Sequence, residues 1–341
     1  MMICKCCNIK EADKKNTHFL TDSIIRKCLN ENGTNYREKG FMFGLSNKSP
    51  FVEFSFQRET KPESIINALG RQPTEEEINE ARKIAFSVDY YFCSDCEKLF
   101  TNIENEFSDK ILPKLRGVDF QKEDKRNISF EESALIRKFF LLQFWRTSVC
   151  DPAFDLSDTF RDKLYRAIFD DDKTLKEIPL RVIYLNTVGD DFEYTKNIVG
   201  TLKDSSNFVI FFNDFVLQAF ESEEDINFIE LYGLNLKESF SKQFNVNEDQ
   251  FDIEIIFNQE RIDFVSSFYK KDFVRNTLEL YQHIFVKHFY ATFGHHPHPQ
   301  ITASFIQGII HGKDTTEEKR YSIERFMNYA NNYFLRLINY R

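Results

Sequence analysis

No run of about twenty apolar residues occurs in the 341-residue sequence, so no membrane-spanning helix is expected and membranes are not among the expected partners. The opening MMICKCCNIK lacks the apolar stretch that a secretory leader needs, and a cytoplasmic setting is expected. There is no glycine-rich phosphate loop. The lone Gly312-Lys313 pair lacks the spacing of a nucleotide-binding loop, and no Gly-x-Ser-x-Gly elbow marks a serine hydrolase. Internal repeats and low-complexity tracts are missing as well. Cysteine is sparse and odd in number, seven residues of which four fall in two close pairs, a count that disfavours a disulfide framework and favours metal binding in a reducing compartment. Positive charge is in deficit too: the net charge of -9 argues against a protein that coats nucleic acid non-specifically.

That deficit is unevenly spread. Residues 1–50 hold nine Lys/Arg against five Asp/Glu, leaving 36 against 49 in the rest of the chain. Lys10, Lys14, Lys15, Arg26 and Lys27 give the N-terminal part a basic surplus that suits either a phosphate backbone or a solvated face. With 38 Phe and 14 Tyr, the interior is expected to be aromatic-rich.

What the sequence does have is a split pair of cysteine knuckles. Cys4 and Cys7 form one, Cys93 and Cys96 the other, and His18 lies between them. Two Cys-x-x-Cys pairs supply four thiolates for one tetrahedral structural zinc, a closed site with no open position for water. Cys6, Cys28 and Cys150 are left as free thiols in the core or beside the site. Thr21 or Asp22 can cap a helix through Ile24, Ile25 and Leu29 that stops near Asn32-Gly33. Phe41–Leu45 and Phe51–Phe56 alternate around Ser46-Asn-Lys-Ser-Pro50 and read as a hairpin. Thr74 with Glu77 reads as a capping box that opens a helix to about Phe86, and Tyr90-Tyr91-Phe92 as a strand leading into the second knuckle. Leu99, Phe100, Ile103 and Phe107 recur at helical spacing, which puts Cys96 at a helix N-terminus. Knuckle, hairpin and helix make a treble clef, here with a long insertion between hairpin and helix.

The polar stretch 113–128 suggests a boundary, giving a zinc-binding module over 1–112 and an α+β domain of sensing or partner-binding type over 113–341. In the latter, Ser129 with Glu132 reads as another capping box, opening a helix around Leu135–Trp145 that is apolar nearly all round and hence buried. Ser157 caps a further helix. Strands are expected at Leu180–Leu185, Phe208–Phe212, Phe215–Phe220 and Phe251–Phe257, the middle two joined across Asn213-Asp214. From about Asp263 the chain reads as helical, broken at Gly294–Pro299 and around Gly312. The expected fold class is α+β: a treble-clef module followed by a mostly helical domain with a small antiparallel sheet.

With the knuckles placed, residues 1–112 resemble the HNH, or ββα-metal, endonuclease group. That resemblance implies a His on the strand after the first knuckle acting as general base, which is His18, and a His or Asn on the helix after the second knuckle helping to hold magnesium or manganese. Asn102, six residues past Cys96, fills the latter role best, with Glu97 or Glu106 as alternative oxygen donors. The run Thr17-His18, Cys93–Glu97 and Trp145-Arg146-Thr147-Ser148 is also similar to a bacterial family associated with HNH-like proteins. Two departures stand out: Thr21 occupies the place of a proline common in the group, and Glu97 that of Asn or His. The resemblance implies a metal-dependent nuclease acting on DNA or RNA, and together with the charge asymmetry it suggests an acidic C-terminal part that restrains cleavage until triggered, as in an anti-phage defence effector. The departures favour the other reading, a non-catalytic zinc-finger interaction protein that binds a protein or nucleic acid.

Other clusters read as structural. His295-His296-Pro297-His298 forms a rigid turn, His283 and His288 share no helix face, and Asp170-Asp171-Asp172 is a solvated helix end. Arg146 ends an apolar helix and is expected to be buried and paired with Asp151 or Asp155.

Overall fold

The computed structural model describes residues 2–30, 33, 41–46, 49–56, 63, 65–66, 71–81, 84–120, 127–204, 206–231, 233–268, 273–311 and 321–339. Along the chain, strand β1 (Thr17–His18) leads into helix α1 (Asp22–Leu29). Strands β2 (Phe41–Ser46) and β3 (Ser49–Phe56), helix α2 (Glu75–Ala81), strand β4 (Ser87–Val88) and helix α3 (Ser94–Lys110) follow. Next come β5 (Asn127–Phe130), α4 (Ser133–Cys150), α5 (Asp158–Phe169) and α6 (Asp172–Glu177). Strands β6 (Leu180–Leu185), β7 (Ile198–Asp204), β8 (Asn207–Asn213), β9 (Phe215–Ala219) and β10 (Phe251–Ile256) make up most of a sheet. Helices α7 (Asn258–Phe268), α8 (Val274–Phe293), α9 (Pro299–Ile310) and α10 (Ile323–Asn339) complete the described chain. No helix among the described residues is long and apolar enough to cross a membrane.

The fold is mixed α+β, and its main sheet is larger than the sequence suggests. Six strands run in the order β5-β10-β6-β9-β8-β7, and β10 pairs parallel with β6 while the other pairs are antiparallel. The small antiparallel sheet is thereby corrected to a six-stranded mixed one. Strand β5 hides in a polar segment, where Ser129 reads as a helix cap but faces Asp252 in the sheet. Strand β7 contains Gly200 and ends in Lys203-Asp204, so it lacks the apolar density of its neighbours. The hairpin across Asn213-Asp214 is present, with Asn213 in the left-handed region at φ 62°.

By contacts the chain divides into two compact units, one of Met1–Asn35 with Ile84–Val265, the other of Tyr36–Lys83 with Ser266–Arg341. The division expected at 112/113 does not coincide with this partition, and the reason lies in the core of the first unit. Helix α4 is apolar nearly all round and is buried over most of its length. Phe139 stacks on Phe107 of α3 at 3.7 Å, Phe140 meets Phe215 of β9 at 5.3 Å, and Trp145 packs on Tyr165 of α5 at 5.8 Å. Cysteine module and sheet thus share one aromatic core. Ile111, just before the polar stretch, and Leu115, within it, are fully buried.

A buried ion pair ties α1 to the sheet. Arg116 donates from Nε and Nη2 to the two oxygens of Asp214 at 2.6 and 2.7 Å, and its Nη2 also reaches the Ile24 carbonyl at 3.2 Å. Asn213 bonds the same carbonyl at 2.6 Å. Asp214 is fully buried, so Asp214→Ala strands a guanidinium in the interior, and a loss of about 3–5 kcal/mol is expected in urea denaturation.

In the second unit β2 and β3 pair antiparallel, Phe41 opposite Phe56, with a register shift between Gly44 and Ser46. Helices α8, α9 and α10 close around Tyr281, Phe285, Phe289, Phe305, Ile309 and Phe326. Phe285 stacks on Phe305 at 4.1 Å and Tyr281 on Phe326 at 4.3 Å. Gly294 ends α8 in the left-handed conformation at φ 76°, and Pro299 opens α9, which accounts for the break seen between them. The second break, at Gly312, and the Gly312-Lys313 pair lie outside the described residues.

Candidate functional site

The first knuckle is a tight turn. The Cys4 amide bonds the Lys10 carbonyl at 2.8 Å, the Asn8 amide bonds the Cys4 carbonyl at 2.9 Å with Asn8 at φ 54°, and the Lys10 amide points at Cys7 Sγ at 3.5 Å. The second knuckle is the start of α3, with Cys93 as its N-cap. Asp13 braces it by accepting from the Ser94 amide at 2.8 Å and the Ser94 hydroxyl at 2.7 Å. The Cys93 amide donates to Cys4 Sγ at 3.3 Å, stitching the two knuckles together.

The sulfurs of Cys4, Cys7, Cys93 and Cys96 all lie within 4.8 Å of one another, and Cys7 and Cys93 are 4.0 Å apart. Among the described residues these four cysteines form a group able to hold a metal ion. Burial pushes the Cys4 and Cys96 thiols up, while the backbone amides of Lys10 and Ile9 bring Cys7 down to about 6. A cation among the sulfurs reverses the burial effect by favouring thiolate. Cys6 is buried beside them and pushed up to about 12 by burial, Cys150 is buried in the core, and the Cys28 thiol donates to the Asn197 carbonyl at 3.1 Å.

The two strands that join this module are not the ones expected. β1 pairs antiparallel with β4, Thr17 opposite Val88 and His18 opposite Ser87. The Phe41–Phe56 hairpin belongs to the other unit, so the insertion sits within the ribbon, between β1 and β4. Tyr90-Tyr91-Phe92 is an irregular connection rather than a strand, with Tyr90 at φ 60°. The resulting order is knuckle, strand, strand, helix.

Between β1, α1, α3 and α4 lies a cleft of about 510 Å³. His18 lines one wall, its Nε2 3.4 Å from Asp22 Oδ1, and Arg26 Nε bonds the other Asp22 oxygen at 3.0 Å. Helix α3 contributes Glu97, Thr101, Glu104, Asn105 and Ser108 to the lining, and their three- and four-residue steps keep them on one side of the helix. Glu97 Oε1 is buried with no hydrogen-bond partner, and burial raises the Glu97 carboxyl above the usual range despite the Arg146 charge. Arg146 forms part of the floor, bonded to Glu104, to Thr21 Oγ1 at 3.2 Å and to Gln143 at 3.3 Å, with its guanidinium 5.5 Å from the Phe100 ring. Lys14, Lys15, Arg26 and Lys98 give the cleft its cations.

His18 and Glu97 are therefore brought to one cleft, and Asn102 is not: it is exposed and absent from the lining, which has Asn105 instead. Counting four and eight residues on from Glu97 would have found Thr101 and Asn105. Glu106 pairs with Lys110 at 2.6 Å. Arg146 is buried as expected, but its carboxylate is Glu104 rather than Asp151 or Asp155. His18, Asp22 and Glu97 do not form a three-ligand group as close as the cysteines. The histidine turn serves local structure, His298 accepting from the Gln300 amide at 3.3 Å to cap α9, and Asp171 caps α6 through the Lys173 amide at 2.9 Å.

No protein-family model matches the chain, and neither a curated protein nor a solved structure matches it.

Proposed function

We propose that the chain is an HNH-like, metal-dependent nuclease built on a structural zinc site. Zinc suits the cysteine cluster: a tetrahedron with arms of about 2.3 Å has edges of about 3.8 Å, against the 4.0 Å between Cys7 and Cys93. The observation that carries the nuclease reading is His18, on the first strand of a two-stranded ribbon, lining one cation-bearing cleft together with the helix that begins with the second cysteine pair. Lys14, Lys15, Arg26 and Lys98 receive the phosphate backbone. His18 takes a proton from a water whose oxygen bonds to phosphorus as the bond to the leaving sugar oxygen breaks. Magnesium or manganese, when bound, neutralises the charge developing on the phosphate. Glu97, with its orphaned Oε1, and Asn105 line the same cleft from α3 and would hold such an ion by their oxygens, magnesium needing few protein ligands because it usually keeps several waters.

The reading is tested by incubating the purified protein with DNA and RNA in magnesium or manganese. Nicked DNA or shortened RNA is expected, and which of the two is cut names the substrate. Binding without cutting would support the second reading, a zinc-finger interaction protein. One observation favours that alternative: Glu104, Thr21, Gln143 and the Arg146 Nη2 already bond to one another in the cleft lining.

A further inference from the structure

We infer that Asp22 is a positioning residue for His18, holding the imidazole and stabilising its protonated form. This rests on the nuclease reading of the same cleft. Asp22 opens α1 four residues after His18, and its Oδ1 stands 3.4 Å from His18 Nε2. Both side chains are largely withdrawn from solvent, at 14% and 19% exposure, so the pair is weakly screened. Arg26, one helical turn further on, takes the second oxygen and fixes the carboxylate plane. The helix itself is anchored at the Ile24 carbonyl by Arg116 and Asn213, so the Asp22 position is set by the sheet.

Other charged groups face the same cleft: Glu97, Lys98 and Glu104 from α3, Arg146 from α4, and Lys14 and Lys15 ahead of β1. Glu104 is engaged by Arg146 and Thr21. Asp22 places a carboxylate within ion-pair distance of the ring. A carboxylate so placed fixes ring orientation and favours imidazolium, the form His18 reaches once it has taken the proton from water.

The test compares wild type with Asp22→Asn, which keeps the side chain's shape and removes its charge. The ring-proton resonances of His18, assigned by their loss in His18→Ala, are followed against pH by NMR. Their titration midpoint is expected at lower pH in Asp22→Asn, because the partner that favours the charged ring is gone. In the cleavage assay kcat is expected to fall about tenfold or more, with KM little changed and the acid limb of the pH profile displaced the same way. An unmoved midpoint overturns the inference. Should Asp22→Asn fail to fold, Asp22→Ser provides the same comparison. The NMR result decides the pair even if wild type cuts nothing, an outcome that would sink the nuclease reading alone.

Discussion

Replacing Cys93 and Cys96 together by serine is expected to abolish binding of one metal ion per chain and to unfold the first unit. Helix α3 starts at Cys93, and its inward side carries Phe100 and Phe107. Phe100 packs on Trp145 at 5.9 Å and Phe107 stacks on Phe139, so α3 brings the cysteine cluster into contact with the aromatic core around α4. Structural zinc sites contribute on the order of 10 kcal/mol or more of binding free energy, comparable to the whole stability of a domain. Removing two sulfurs would also leave Cys4, fully buried, without a cation to offset its burial. Metal analysis and thermal denaturation of the variant check this. Unchanged metal content would show that the four sulfurs do not share an ion.

The second large effect is expected from His18→Ala. The imidazole sits on a two-residue strand whose backbone pairing with Ser87 does not involve the side chain, and the ring lines the cleft. Loss of the ring therefore should not disturb the ribbon, the cysteine cluster or the α4 core. General-base catalysis is worth about 10²–10⁴-fold in rate, and cleavage in the variant is expected to fall by that much while metal content and nucleic-acid affinity stay close to wild type. On the proposed reading affinity would rest on Lys14, Lys15, Arg26 and Lys98, so binding and cutting are expected to separate in this variant.

Local signals were legible and distant ones were not. The Cys-x-x-Cys pairs, the buried α4, the Ser157 cap and the hairpin across Asn213-Asp214 each follow from residues a few positions apart, and each is present in the fold. The partner of β1 is different. Val88 and Ser87 lie beyond an insertion that contains a better-looking hairpin, so the alternating Phe41–Phe56 run draws the assignment away from the ribbon that holds His18. Strand β5 fails for a related reason, since its pairing with β10 joins Phe130 to Phe251 and nothing near Ser129 announces it. Arg146 was visibly out of place on an apolar helix, yet its carboxylate comes from Glu104, 42 residues earlier, and not from the nearby aspartates. On α3 the choice of Asn102 over Asn105 turned on which face meets the cleft, which depends on how Phe100 and Phe107 seat the helix.

The measurement that bears most directly on the central claim is a time course of cleavage by wild type and His18→Ala, run side by side on plasmid DNA and on RNA in magnesium or manganese. Both proteins should carry equal zinc, verified by metal analysis. The account expects metal-dependent cutting by wild type and a near-complete loss in the variant. Equal cutting by the two would remove His18 from the role of base, and bound but intact substrate with both would contradict the nuclease reading.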